Sequence, residues 1–103
     1  MDYLDRVDLR VGTVVEAEKV AKSKKLLKLT VDIGKETRTI IAGVAEHYKP
    51  EELKDKQIVL VVNMEPATIM GIESNGMLLA ASKGKKLTVL SVEHDIDPGS
   101  RVS

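Results

Sequence analysis

With 103 residues, 16 acids matched by 16 bases, and no cysteine, the chain suits one domain with a modest core, and it excludes disulfides, thiol catalysis and cysteine-based zinc sites. No apolar run reaches bilayer length, and the start Met1-Asp2-Tyr3-Leu4-Asp5 has neither a basic n-region nor a following apolar stretch, so the expectation is a cytoplasmic protein without a membrane partner. Zero net charge argues against generic nucleic-acid binding, but residues 19–28 hold five lysines (Lys19, Lys22, Lys24, Lys25, Lys28) and no acid, leaving 11 bases against 16 acids elsewhere. A chain polarised in this way can present one positive face to a polyanion; a solvated lysine loop with no partner has the same composition.

The first seven residues read as a lead-in of about one helical turn. From Leu9 the pattern has period two: Leu9, Val11, Thr13, Val15 and Ala17 on one face, Arg10, Gly12, Val14 and Glu16 on the other. That predicts a half-buried strand, with a bulge or sharp bend at Gly12 of the kind barrel closure requires. After the lysine-rich loop, Leu27, Leu29, Val31 and Ile33 alternate with Lys28, Thr30 and Asp32; Gly34-Lys35-Glu36 then turns the chain into Thr37–Ala42. A two-residue loop would set Val31 opposite Arg38, and a three-residue loop Asp32 opposite Arg38. Keeping charge with charge favours the second, which also puts Lys28 and Arg38 on the same outward face.

Pro50-Glu51-Glu52-Leu53 predicts a short helix, with proline in its first turn and acids complementing its dipole. Gln57–Asn63 is nearly all apolar, as a strand covered on both sides would be. A loop with Pro66 and Gly71 leads to a strand at Met77–Ala81, a turn at Ser82-Lys83-Gly84-Lys85, a strand at Leu87–Val92 and a last turn at Pro98-Gly99. Three strands, a short helix, two strands and an added one give the order of an all-β, five-stranded OB-fold Greek-key barrel with additional terminal strands. An SH3-like barrel or a small sandwich has a compatible pattern.

Catalytic chemistry finds no constellation here, and no cofactor is expected. His47 has no second ligand at helical or hairpin spacing, and His94-Asp95-Ile96-Asp97 reads as a polar turn rather than a metal site. Ser74 lacks the context of a nucleophile elbow, and the Gly71–Gly76 stretch lacks the lysine a phosphate loop needs. Tyr3 and Tyr48 are the sole aromatics, so stacking on bases is poorly served; phosphate contacts and shape recognition fit the residue types better.

Five motifs occur in order: Asp8-Leu9-Arg10-Val11-Gly12-Thr13-Val14, Lys25-Leu26-Leu27-Lys28-Leu29, Arg38-Thr39-Ile40-Ile41-Ala42-Gly43, Tyr48-Lys49-Pro50-Glu51-Glu52-Leu53 and Gly71-Ile72-Glu73-Ser74-Asn75-Gly76-Met77. Over about residues 5–102 the chain resembles the tRNA-binding domain at the C-terminus of many methionyl-tRNA synthetases and in free-standing tRNA-binding proteins. The resemblance implies an OB barrel that binds tRNA by shape, is not catalytic, and raises the tRNA affinity of a synthetase catalytic region joined in cis or met in trans. It implies a homodimer formed through segments outside the barrel, here residues 1–8 and about 78–103. The expected organisation is an N-terminal extension at 1–8, a core at 9–82 and a C-terminal dimerisation segment at 83–103. The tRNA-contact positions it implies are Lys25, Lys28, Arg38, Asn63, Ser74 and Met77, with Gly76 a backbone requirement; Lys22 and Lys24 join them as expected contacts from the charge of the lysine-rich stretch. Met77 also reads as core, Ser74 as a turn hydroxyl bonded to backbone, and Arg38 as a partner for Asp32.

Two departures stand out. The loop Met64–Met70 has one acid and no base where the family often carries a basic loop, and Ala42 stands where serine is frequent. Both predict weaker tRNA binding than in basic relatives, or greater reliance on Lys19–Lys28. Two rival readings remain: a secretion-associated chaperone of similar fold that binds polypeptides, and a dimerisation module with negligible RNA affinity.

Overall fold

The computed structural model describes residues 7–103. All of the expected lead-in but Val7 lies outside the described residues. Strands β1 (Leu9–Lys19), β2 (Leu27–Asp32), β3 (Thr37–Ala42), β4 (Gln57–Val61) and β7 (Met77–Leu78) form an antiparallel sheet in the order β3-β2-β1-β4-β7, curled into a nearly closed barrel. The helix α1 (Pro50–Leu53) lies between β3 and β4, so the OB order read from the sequence is the observed one. The gap between β3 and β7 is spanned by the Asn75 N–H donating to Thr39 O (2.8 Å) and the Ile41 N–H donating to Ser74 Oγ (3.0 Å).

Alternation in β2 fills the barrel with Leu27, Leu29 and Val31, which meet Val14, Ile40, Ala42, Ile58, Leu60 and Leu78; Leu53 of α1 joins them. β4 is covered on both sides, as its apolar run predicts. Ile58 and Leu60 point inward, while buried Val59 is bonded to the Leu79 N–H and to Leu90 O. β10 (Arg101–Val102) pairs with β1 on the side opposite β4, so Leu9 faces Val102 on one flank and Val61 on the other.

Four local expectations are corrected. First, β1 does not alternate evenly. A bulge between Val14 and Glu16 switches parity, so Val14 faces Val31 before it and Ala17 faces Leu29 after it, both inward. Gly12, two residues before the bulge, is needed for close approach: a Cβ there would collide with Val31 Cγ1 and lie 3.0 Å from Leu60 Cδ2. Second, the β2–β3 hairpin has the two-residue loop, with Val31 opposite Arg38 and Asp32 opposite Thr37. The Ile33 N–H donates to Glu36 O, Gly34 takes φ +98°, and Asp32 Oδ1 accepts the Gly34 N–H at 2.8 Å. Turn geometry, not charge pairing, sets the register, and Lys28 and Arg38 therefore lie on opposite faces.

Third, the loop expected at residues 64–76 contains a hairpin, β5 (Ala67–Ile69) and β6 (Ile72–Ser74). Met70 (φ +53°) and Gly71 (φ +79°) make its two-residue turn, both with positive φ as a type I′ turn requires. Fourth, the strand expected at Met77–Ala81 breaks at Leu79. Its second part, β8 (Ala80–Lys83), pairs with β9 (Lys86–Val89) as a separate hairpin.

Candidate nucleic-acid interface

The loop joining β1 to β2 carries Lys22, Lys24 and Lys25, and it is ordered by its own hydrogen bonds. Buried Val20 anchors it and donates its N–H to Leu26 O; the Ser23 N–H donates to Val20 O. Ser23 Oγ accepts the N–H groups of Lys25 (3.3 Å) and Leu26 (3.2 Å), and Lys22 takes a left-handed φ of +66°. These bonds leave Lys22, Lys24 and Lys25 exposed, and among the described residues none of the three is ion-paired. The loop is tied to the turn before α1 by the Ala45 N–H donating to Lys25 O at 3.0 Å. A preformed loop loses little entropy when a polyanion docks, so its charge is available at low ordering cost.

Lys28 belongs to this patch less fully than the sequence suggests. It sits across the ladder from Glu18, with Nζ 3.7 Å from Glu18 Oε1. Half-exposed pairs of this kind are weak, so the pair partly neutralises Lys28 without fixing it.

Arg38 is three residues further along the ladder, about 10 Å away. It pairs with Glu36 rather than Asp32, and donates to Val62 O (2.9 Å) and Asn75 O (3.3 Å). Its hydrogen bond and charge hold the Glu36 carboxyl below the usual glutamate range. Arg38 and Asn63 line one cleft of about 470 Å³ with Asp8, Arg10, Lys35 and Gly99. Asn63 Oδ1 accepts the Asp8 N–H at 2.9 Å, and Arg10 is held by Asp8 (2.7 Å) and Gly99 O (3.2 Å).

The Ser74-Asn75-Gly76-Met77 segment divides by burial. The Ser74 side chain is only 4% exposed, accepting from the Ile41 N–H and donating to Gly76 O at 3.3 Å. Both of its hydrogen-bonding roles are thus spent on backbone. Gly76 has φ +143°, and a Cβ there would stand 2.8 Å from Val61 O, so only glycine fits. Met77, which the sequence allowed as core, is exposed, and Met64 and Met70 are more so. The loop and hairpin from Met64 to Glu73 therefore present thioethers and two acids, Glu65 and Glu73, but no cation.

The eight expected contact positions thus fall into two groups: the lysine loop with Lys28 at one end of β2–β3, and Arg38, Asn63 and the 74–77 segment around the end of β4. Sequence reasoning missed one further basic feature. Lys83, Lys85 and Lys86 stand exposed at the tip of the β8–β9 hairpin, and the signal for them was the acid-free stretch 74–92.

Residues 9–101 match the model of a family described as "Putative tRNA binding domain". The whole chain is 56% identical to a segment of a methionine–tRNA ligase from Thermotoga maritima, and 99% of it aligns at 53% identity with one from Archaeoglobus fulgidus; it spans 16% of the length of each. Among solved structures, a MetRS-related protein from Pyrococcus horikoshii superposes with a TM-score of 0.92 at 39% identity, covering 100% of this chain and 98% of that one. The chaperone CsaA from Bacillus anthracis superposes at 0.89 with 28% identity, covering 100% and 98%.

Proposed function

Because this chain belongs to the tRNA-binding domain family, we propose that it is a non-catalytic, shape-reading tRNA-binding module that raises the tRNA affinity of a methionyl-tRNA synthetase, in cis or in trans, in the cytoplasm. One observation carries this reading: the self-ordered loop Val20–Leu26, which holds Lys22, Lys24 and Lys25 exposed and, among the described residues, without ion-pair partners. Those three lysines, with Lys28 in part, contact phosphates. Met77, exposed beside the end of β4, supplies apolar contact away from that loop. Ser74 and Arg38 act as positioning residues, the first by fixing the 74–77 segment on β3 and the second by clasping Val62 and Asn75. Asn63 holds the start of β1 against the end of β4. Homodimerisation through the N-terminal extension and the C-terminal stretch is supported by exposed Val7, Leu90 and Ile96 on those segments.

The test is binding of total tRNA across a salt series. Lys22→Gln, Lys24→Gln, Lys25→Gln and Lys28→Gln together should weaken binding and flatten the log–log salt dependence by about 0.7–0.9 per lost contact. Unchanged affinity in that variant would refute the reading.

A second reading has one observation behind it. Met64, Met70 and Met77 are all exposed, and exposed methionines are adaptable contacts of the sort that accept varied polypeptides; the CsaA structure is a chaperone's. Competition between labelled tRNA and an unfolded polypeptide separates the two: tRNA binding that the polypeptide leaves intact favours the first.

A further inference from the structure

We propose that the tip of the β8–β9 hairpin is a second phosphate-contact site for the same RNA, standing in for the loop at Met64–Met70 that lacks basic residues. This rests on the tRNA-binding reading and extends its surface to residues that reading does not use.

The tip is built to project charge. Gly84 has φ +62°, the conformation a type II′ turn asks of its first central residue, and Lys83 pairs with Lys86 across it. Lys83, Lys85 and Lys86 are all exposed, and among the described residues none has an ion-pair partner. From Ser74 to Val92 there is no acid; Glu93 is the next. Three cations set side by side repel one another, and nothing in the fold of the hairpin requires them.

The base of this hairpin is also tied to the turn that holds the lysine loop. The Tyr48 hydroxyl accepts the Val89 N–H at 2.9 Å and lies 3.4 Å from Thr88 Oγ1. Tyr48 ends the turn that begins at Val44, where the N–H groups of His47 and Tyr48 both donate to Val44 O. The same turn holds the lysine loop through the bond between Ala45 and Lys25. His47 lines both the cleft under the tip, with Lys83 and Lys86, and the adjoining cleft with Lys19 and Lys49. Glu46 and Glu52 are the acids in that second cleft, and Glu52 is engaged by the Lys49 N–H at 2.8 Å.

Lys86 lies three residues before Val89, about 10 Å along the strand towards the tip, so the two lysine groups stand on the order of 20 Å apart. Over that span a nucleic-acid duplex offers on the order of ten phosphates. A folded RNA arm can therefore lie across the Val44–Lys49 turn and meet both groups. Lysine is depleted from the centres of protein interfaces, so the tip is a poor dimer seam, and the dimerisation segment shrinks to the chain beyond the hairpin.

The experiment compares Lys85→Gln/Lys86→Gln with a charge-matched control, Lys54→Gln/Lys56→Gln, for total tRNA binding over a salt series. The tip variant should lose about 1.4–1.8 units of log–log slope and weaken roughly tenfold or more at low salt, with the control near wild type. Saturating tRNA should also protect Lys83, Lys85 and Lys86 of the wild-type chain from an amine-modifying reagent. If the wild type binds tRNA while the tip variant matches the control and the tip stays reactive, the proposal is overturned and the tRNA reading stands. If the wild type binds no tRNA at any salt, both fall; if an unfolded polypeptide rather than tRNA protects the tip, the proposal falls in favour of the chaperone reading.

Discussion

Ser74→Ala distinguishes a buried staple from an RNA contact. The substitution removes one oxygen from a site 4% exposed and strands the Ile41 N–H, 3.0 Å away, with Ile41 itself 2% exposed. An unsatisfied buried donor costs about 1–3 kcal/mol. The Gly76 carbonyl, bonded at 3.3 Å, loses a weaker partner worth about 1 kcal/mol. The sum, about 2–4 kcal/mol, is a large part of the roughly 5–15 kcal/mol that holds a domain together. For a chain of this size it corresponds to a melting temperature lower by about 10–20 °C. The bond also helps span the gap between β3 and β7, so amide exchange at Ile41 and Asn75 should quicken ahead of the barrel interior. Thermal or urea unfolding measures the loss. Titration of tRNA at a temperature where the variant remains folded should then show little change in affinity. An unchanged melting temperature together with a tenfold loss of tRNA affinity would make Ser74 a direct contact, contrary to its geometry.

Two further outcomes follow from described contacts. Arg38→Gln removes the group that holds the Glu36 carboxyl low. A depressed folded-state value stabilises above the ordinary carboxylate range and is lost as pH falls through the depressed one, so in the variant Glu36 should titrate higher and this part of the acid limb should vanish. Carboxyl NMR checks it, and an unmoved Glu36 titration contradicts it. Gly12→Ala drives a methyl into Val31 and towards Leu60; overpacking of this kind costs about 1–3 kcal/mol, readable by urea unfolding, and a variant as stable as wild type would show that β1 can shift to make room.

The barrel was legible because its interior is written in clean alternation. Leu27, Leu29 and Val31, and the run Ile58–Leu60, fix two strands and their covering without further information. β1 was read with the wrong parity because its bulge leaves no mark on the apolar pattern: Val14 and Val15 are both valine, and only pairing with β2 selects the inward one. The β2–β3 register failed because charge pairing was weighed above turn geometry, although Gly34 already pointed to a tight turn. The β5–β6 hairpin was missed because Met70 in a left-handed turn position departs from the Asn-Gly or Asp-Gly signature. In the site, exposed lysines were easy to find by composition. The burial of Ser74, the neutralisation of Lys28 by Glu18 and the clasp of Arg38 depend on partners 33, 10 and up to 37 residues away, which no local pattern reports.

The pairing of Leu9 with Val102 brings the two ends of the described fold to within about 5 Å across one antiparallel ladder. Within the described residues the fold thus begins and ends at a single point, like a leaf on one stalk. It can be grafted into a surface loop of an unrelated scaffold without prising the host's loop apart. It also tolerates rewiring on paper: a short bridge between the ends, with new termini opened at Gly84-Lys85, would retain each strand pairing of the barrel while dividing the lysine tip between the two new ends.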